Sequence, residues 1–283
     1  MTDAHAPAPP PDLSDQVARA LAEDVGSGDL TAALVPATRS GRATVITRED
    51  AVLCGRPWVD EVFRQLDPSV RVEWAAAEGA AVAPGDLLCT IEGPARSLLT
   101  GERTALNFLS HLSGVASVTA EIASSIAAYR TRVVCTRKTT PGLRAVEKYA
   151  VRAGGGANHR FGLDDAILIK DNHIAIAGSV AEAVRRARAA AGHLMKIELE
   201  VDALDQLREG LGEGVDAVLL DNMTPAMLRE AVGIVAGRAT TEASGRITPA
   251  TAPEIAATGV EVISVGWLTH SAPILDIGLD FEG

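Results

Sequence analysis

AVLLDNMTPAMLREAVGIVAGRATTEASG, residues 217–245, reads as one complete strand–helix–strand unit. The first segment, AVLLDN (217–222), is apolar on both faces until it stops at Asp221 and Asn222. A strand without a polar face belongs inside a parallel sheet covered by helices. The next segment, TPAMLREAVGIVAG (224–237), offers Thr224 as a helix N-cap and Pro225 at the first helical position, where a missing N–H costs nothing. RATTEASG (238–245) returns as a second strand and stops at Ser244 and Gly245.

The same pattern extends in both directions. RVVCTRK (132–138), AILIKDN (166–172), MKIELEV (195–201) and EVISVG (261–266) read as further buried strands, and SVAEAVRRARAAAG (179–192) as another helix. Repeated units of this length predict an α/β fold, either a parallel barrel or a doubly wound sheet. The strand ends favour the barrel. They carry Arg137 and Lys138, Lys170 with Asp171 and Asn172, Glu200, Asp221 with Asn222, Ser244 with Gly245, and Gly266. In a (β/α) barrel these ends converge on one mouth, where the chemistry sits.

The first half differs. RATVITR (42–48) and AVLCG (51–55) suggest strands, PWVDEVFRQLD (57–67) a helix, and residues 71–93 a compact set of short strands with Gly/Pro turns. Residues 97–128 read as two helices. The 67–95 stretch resembles a biotinyl or lipoyl carrier barrel, but residues 1–137 contain no lysine to carry a prosthetic group. An α/β sandwich domain followed by a barrel domain is the expectation.

With 283 residues, 47% of them apolar, the chain can bury one large or two ordinary cores. No apolar run approaches the roughly 20 residues of a membrane span. The start, MTDAHAPAPPPDL, lacks a basic and an apolar signal region and reads as a short disordered tail. A formal net charge of -11 argues against general nucleic-acid binding. Cys54, Cys89 and Cys135 show no metal-ligand spacing and read as buried, reduced thiols of a cytoplasmic protein.

Against this acidic background, residues 137–160 hold six cations and one carboxylate, Glu147. Lysine is rare, occurring only at 138, 148, 170 and 196, and two of these four end strands. Arg137, Lys138, Arg160 and Lys170, with His159 beside them, would repel one another unless a multiply charged anion filled the space. Arg144, Lys148 and Arg152 read as a solvated helix face. Glu200 and Asp221 end successive strands and could hold Mg²⁺, bind sugar hydroxyls or supply a base. EASG (242–245) and SVG (264–266) suit a backbone phosphate cradle. AGGGANHR (153–160) lacks the ending of a nucleotide P-loop and reads as a helix stop that delivers His159 and Arg160. Cations for a polyanion, carboxylates for Mg²⁺ and a phosphate cradle suit transfer between a phosphorylated sugar and an acidic acceptor. A Schiff-base aldolase using Lys138 or Lys170 and a non-catalytic binder of phosphorylated metabolites are the competing readings.

TRKTTPGLRAVEKYAVRAGGGANHRFGLDDAILIKDNH (136–173) resembles the central signature of the quinolinate phosphoribosyltransferase family. LAEDVGSGDLT (21–31), GERTALNFLSHLSG (101–114), IELEV (197–201), LLDNM (219–223) and SVGWLTHS (264–271) match it as well. The resemblance implies a sandwich domain over residues 13–114, joined by 271–283, and an incomplete barrel over 115–270, after a disordered tail at 1–12. It implies that quinolinate and phosphoribosyl pyrophosphate give nicotinate mononucleotide, pyrophosphate and CO₂, with Mg²⁺, in a cytoplasmic homodimer that binds neither membrane nor nucleic acid. Lys138, Lys170, Glu200 and Asp221 would be catalytic, and Glu200 and Asp221 would hold Mg²⁺ partly through substrate. Arg137, Lys138, His159, Arg160 and Lys170 would meet quinolinate and nearby phosphate oxygens, and Arg103 would reach in from the partner subunit. Ser244, Gly245 and Gly266, with His270 nearby, would hold the 5-phosphate, and Thr136, Arg246, Val265 and Trp267 would complete the substrate site. A nicotinate-using transferase or a relative serving molybdenum-linked transport would not need so many cations. Arg246 and Trp267 depart from the family pattern, which has glycine and a small residue there.

Overall fold

The computed structural model describes residues 6–282. The chain divides into two compact units, one holding residues up to Ala120 with Ala145–Gly155 and the end from Ser271, the other Glu121–Arg144 and Gly156–His270. The expected tail falls partly outside the described residues. Within them, Pro7 is buried and Leu13 N–H donates to Pro10 O at 3.1 Å, while residues 8, 9, 11 and 12 are exposed.

The first unit runs α1 (Leu13–Val25), β1 (Ser40–Thr47), β2 (Ala51–Val52), α2 (Arg56–Leu66), β3 (Arg71–Trp74), β4 (Ala81–Val82) and β5 (Leu87–Pro94), followed by α3 (Ala95–Ser125). From Ala43 onward β1 alternates buried and partly exposed positions, as a half-covered antiparallel strand does. Trp58 on α2 is fully buried and meets Tyr149 edge-on at 4.9 Å between ring centroids.

One helix, α3, spans 31 residues where two were expected, and the 114/115 domain boundary falls inside it. Read in sequence, Gly114 suggests a helix stop. A Cβ there would lie 1.9 Å from the Pro273 carbonyl oxygen, so this glycine marks a close approach of backbones within the helix.

The second unit supplies β6 (Arg132–Val134). α4 (Arg144–Ala153) follows and packs in the first unit from Ala145 onward. Gly154, just after it, would place a Cβ 2.2 Å from the Ala116 carbonyl oxygen, so no side chain could sit there. The expected solvated face of α4 is therefore corrected: Lys148 is 1% exposed, Glu147 is fully buried and bonds His111 at 3.1 Å, and only Arg152 is exposed.

The chain continues through β7 (Ile167–Ile169), α5 (Asp171–Ala177), α6 (Val180–Ala190), β8 (Ile197–Val201), α7 (Leu204–Gly212), β9 (Ala217–Asp221) and α8 (Pro225–Val235). β10 (Thr240–Ser244), α9 (Ala252–Ala256), β11 (Val262–Ser264) and α10 (Trp267–His270) complete the unit, and β12 (Ile277–Phe281) follows. β12 pairs antiparallel with β1 in a sheet ordered β12-β1-β5-β3.

Six strands form one parallel sheet in the order β6-β11-β10-β9-β8-β7. Thr224 caps α8 as its sequence required, accepting from Met227 N–H at 3.3 Å. β6 and β7 are the two edges, yet residues following both line one cavity. The sheet therefore curls without closing and forms an incomplete barrel. Its strands are not apolar throughout: β8 and β10 bury Glu198 and Glu242. No helix among the described residues is long and apolar enough to cross a membrane.

Candidate active site

The C-terminal ends of the six strands enclose a cavity of about 680 Å³. Thr136, Arg137, Lys138, His159, Arg160, Lys170, Glu200, Asp221, Ser244, Gly245, Arg246, Val265, Gly266, Trp267 and His270 all line it. Arg103 does not. It lies on α3, its side chain is 63% exposed, and Glu102 is 4.0 Å away.

The cationic wall is built by β6 and by the loop after α4. Ala157 bridges Val134 in parallel, with Ala157 N–H donating to Val133 O at 2.9 Å and Cys135 N–H to Ala157 O at 3.3 Å. This extension of the β6 edge carries His159 and Arg160 into the cavity. The Nε atoms of Arg137 and Arg160 are buried and find no acceptor among the described residues. Burial, and then the charge of Arg137, pull the Arg160 pKa down, against the opposing fields of Glu198 and Asp165. Arg144, expected on a helix face, instead ties the loops together: it donates to Thr139 Oγ1 at 3.2 Å, Phe161 O at 3.1 Å and Arg137 O at 3.4 Å.

The middle strands bring carboxylates. Lys170 Nζ is paired with Glu200 Oε2. Asp221 Oδ2 accepts from Asn222 Nδ2 at 2.7 Å. Ser244 stands in register with Asp221 across β9 and β10.

The last strands bring a turn of unusual backbone. Asn222 and Arg246 have φ of 54° and 49°, and Gly245 has 116°. Only glycine fits at 245, because a Cβ would lie 2.3 Å from Asn222 Oδ1. Trp267 Nε1 donates to Ile247 O at 2.8 Å, and Thr269 Oγ1 donates to Lys138 O at 2.7 Å. Trp267 therefore fastens the 245–247 turn from within the barrel unit.

Period-two alternation explains the residues that motif reading missed. Glu198 lies two before Glu200 on β8, and Glu242 two before Ser244 on β10, so each points inward one layer deeper. There His159 Nε2 lies 2.9 Å from Glu198 Oε2 and 3.5 Å from Glu242 Oε2. Burial, and then the charge of Glu198, raise the Glu242 pKa from its ordinary 4.5 to about 7, against the pull of His159 and Ser264. The folded value exceeds the unfolded one, so the stability this group contributes is full below about pH 4.5 and lost as pH climbs through about 7. Glu242→Gln is expected to melt higher than the parent at pH 8 and at the same temperature at pH 4.5. An equal shift at both pH values in thermal melts would contradict this.

Glu200 and Asp221 suit Mg²⁺: two hard carboxylates from neighbouring strands leave most positions to water and to phosphate oxygens. Among the described residues the one cluster of three candidate metal ligands is elsewhere, at His159, Glu198 and Glu242.

Comparison with known proteins covers almost the whole chain. Residues 29–113 match the model of the quinolinate phosphoribosyl transferase N-terminal domain, and residues 115–280 that of its C-terminal domain. A probable nicotinate-nucleotide pyrophosphorylase (carboxylating) of Bacillus subtilis is 43% identical over 91% of this chain and 89% of its own. The enzyme of that name from Mycobacterium leprae is 45% identical over 94% of this chain and 96% of its own. The solved nicotinate-nucleotide pyrophosphorylase of Francisella tularensis superposes over 100% of both chains with a TM-score of 0.93 at 40% identity. Both halves of the family thus lie on one chain in their usual order, and the chain belongs to the quinolinate phosphoribosyltransferase family.

Proposed function

We propose that the cavity joins quinolinate to phosphoribosyl pyrophosphate and releases CO₂ and pyrophosphate to leave nicotinate mononucleotide, the reaction of its family in NAD biosynthesis. The observation that carries this reading is a pair of half-buried arginines, Arg137 and Arg160, whose buried Nε atoms have no partner among the described residues in a cavity that also holds Lys138 and Lys170. Two adjacent carboxylates on a ring would pair them.

In this reading Arg137, Lys138 and Arg160 grip the dicarboxylate and set its ring nitrogen towards the ribose. That nitrogen bonds to the anomeric carbon as the bond to pyrophosphate breaks. Glu200 and Asp221 support the positive charge that develops on the sugar. The quaternised nitrogen then holds the electron pair left on C2 when CO₂ departs, and C2 takes a proton. Ser244, Gly245, Arg246 and Gly266 hold the 5-phosphate. Mg²⁺, held by Glu200 and Asp221 with substrate oxygens, would neutralise the pyrophosphate. The pairing of Lys170 with Glu200 argues against an aldolase, which needs a free amine. Three buried cysteines outside any disulfide suit a reducing cytoplasm.

The exposed Arg103 side chain supports a homodimer in which each subunit lends Arg103 to the other's cavity. Arg103→Ala and Lys170→Ala proteins are each expected to be nearly inactive alone. After mixing and reassembly they should regain activity, because one site of each hybrid dimer keeps both residues. No recovery in a verified hybrid would remove this role.

Arg246 adopts a left-handed backbone that costs a non-glycine residue about 1 kcal/mol, a strain that persists where a side chain is needed. Arg246→Gly is expected to raise the KM for phosphoribosyl pyrophosphate by about tenfold or more, the worth of one charged hydrogen bond, without lowering the melting temperature. Reduced stability with an unchanged KM would mean that Arg246 serves the fold.

The direct test supplies quinolinate, phosphoribosyl pyrophosphate and Mg²⁺ and follows nicotinate mononucleotide and CO₂. Absence of both products with a folded, dimeric protein would refute the reading.

A further inference from the structure

His159 lines the cavity, but its ring is already engaged on both sides. Nδ1 accepts the backbone N–H of Arg160 at 2.7 Å, so that nitrogen carries no proton. The ring proton is therefore on Nε2, which donates to Glu198 Oε2 at 2.9 Å with Glu242 Oε2 at 3.5 Å. Glu198 and Glu242 are 8% and 4% exposed. They come from β8 and β10, on either side of β9, and close beneath the imidazole. A ligand oxygen could take the Nε2 proton only by leaving a buried carboxylate without its donor, which costs far more than the new bond returns.

We infer that Glu198 and Glu242 are positioning residues that hold the His159 imidazole from below, and that His159 acts on quinolinate only through Arg160, whose backbone it fixes. Arg160 is tied at both ends. Its N–H is held by His159, and its Nη1 donates to Ala166 O at 3.1 Å, at the entry to β7. The Nε edge of its guanidinium is buried and has no partner among the described residues. The carboxylates thus orient a guanidinium they do not touch. This assignment rests on the quinolinate reading above, and it removes His159 from the residues expected to bind substrate through a ring nitrogen.

Two measurements on the full-length protein test it. The first uses selective ¹⁵N-histidine labelling, with the His159 signals identified by their loss in His159→Gln. Nδ1 should appear unprotonated and Nε2 protonated, and saturating quinolinate should change neither. A change of tautomer or loss of the Nε2 proton on quinolinate binding would overturn the inference.

The second is a double-mutant cycle. His159→Ala and Glu198→Ala should each raise the KM for quinolinate by on the order of 10²-fold, the cost of a small misplacement of a gripping group. The KM for phosphoribosyl pyrophosphate should stay near that of the parent. The double variant should be no worse than either single one. Additive losses, or a folded Glu198→Leu/Glu242→Leu protein with a parental KM for quinolinate, would show that the carboxylates serve only the fold. The labelling result decides the question even if the alanine variants do not fold. If the parent protein fails to turn over quinolinate, the functional reading falls; if it succeeds and the His159 signals move, only this inference does.

Discussion

Nicotinate is expected to react about 10⁴- to 10⁵-fold less efficiently than quinolinate, measured as kcat/KM with phosphoribosyl pyrophosphate saturating. The two acceptors differ by one carboxylate. A cavity built to pair buried charge rejects a ligand that leaves it unpaired far more strongly than an apolar pocket rejects a missing methylene. Here the unpaired groups would be the guanidiniums of Arg137 and Arg160, whose buried Nε atoms have no partner among the described residues to return to. Burial and mutual repulsion already weigh on Arg160, and nicotinate would relieve only part of that repulsion. Because the same carboxylate is the leaving group, the comparison should include a ring diacid that binds but cannot lose CO₂. Such a compound should inhibit well where the monoacid does not. A ratio below about tenfold would mean that the cationic wall does not read the second carboxylate.

Asp221→Asn is expected to lower kcat by about 10²- to 10³-fold with little change in the KM for quinolinate. The substitution keeps the shape and the hydrogen bond to Asn222 while removing the charge that faces a developing cation. An interaction made only in the transition state appears in kcat rather than in KM. Asp221 ends β9 in register with Ser244 of the phosphate turn, so the amide should leave that turn in place. Glu200→Gln should act in the same direction but less simply, because it also releases Lys170. A tenfold rise in KM for quinolinate at parental kcat would instead place Asp221 among the acceptor-binding groups.

Much of the barrel was legible because parallel strands buried beneath helices are apolar on both faces, and because a strand that must stop at a cavity changes abruptly to polar residues. Residues 217–245 show both signals, and β9, α8 and β10 fall within the segments read from them. Other features could not be read this way. Gly114 is compatible with a helix end or with a close approach inside a helix, and only the position of Pro273 decides between them. Lys148 has the spacing of a solvent-facing cation, but α4 is buried in the first unit and takes Lys148 with it. Arg144 lies seven residues from Arg137 and seventeen from Phe161, and its role in joining those loops exists only once both are folded.

The succession of barrel strands, the family and the polar residues at the strand ends were legible in the sequence alone, since each depends on residue type within a short window. The tertiary structure decided what sits under them. Glu198 and Glu242 lie 44 residues apart on separate strands, and they become a pair only when β8 and β10 flank β9 and His159 descends between them. The physical reason is range: periodicity is a local property of the chain, whereas charge burial and hydrogen-bond partnership depend on segments that lie 39 and 83 residues from His159 in sequence.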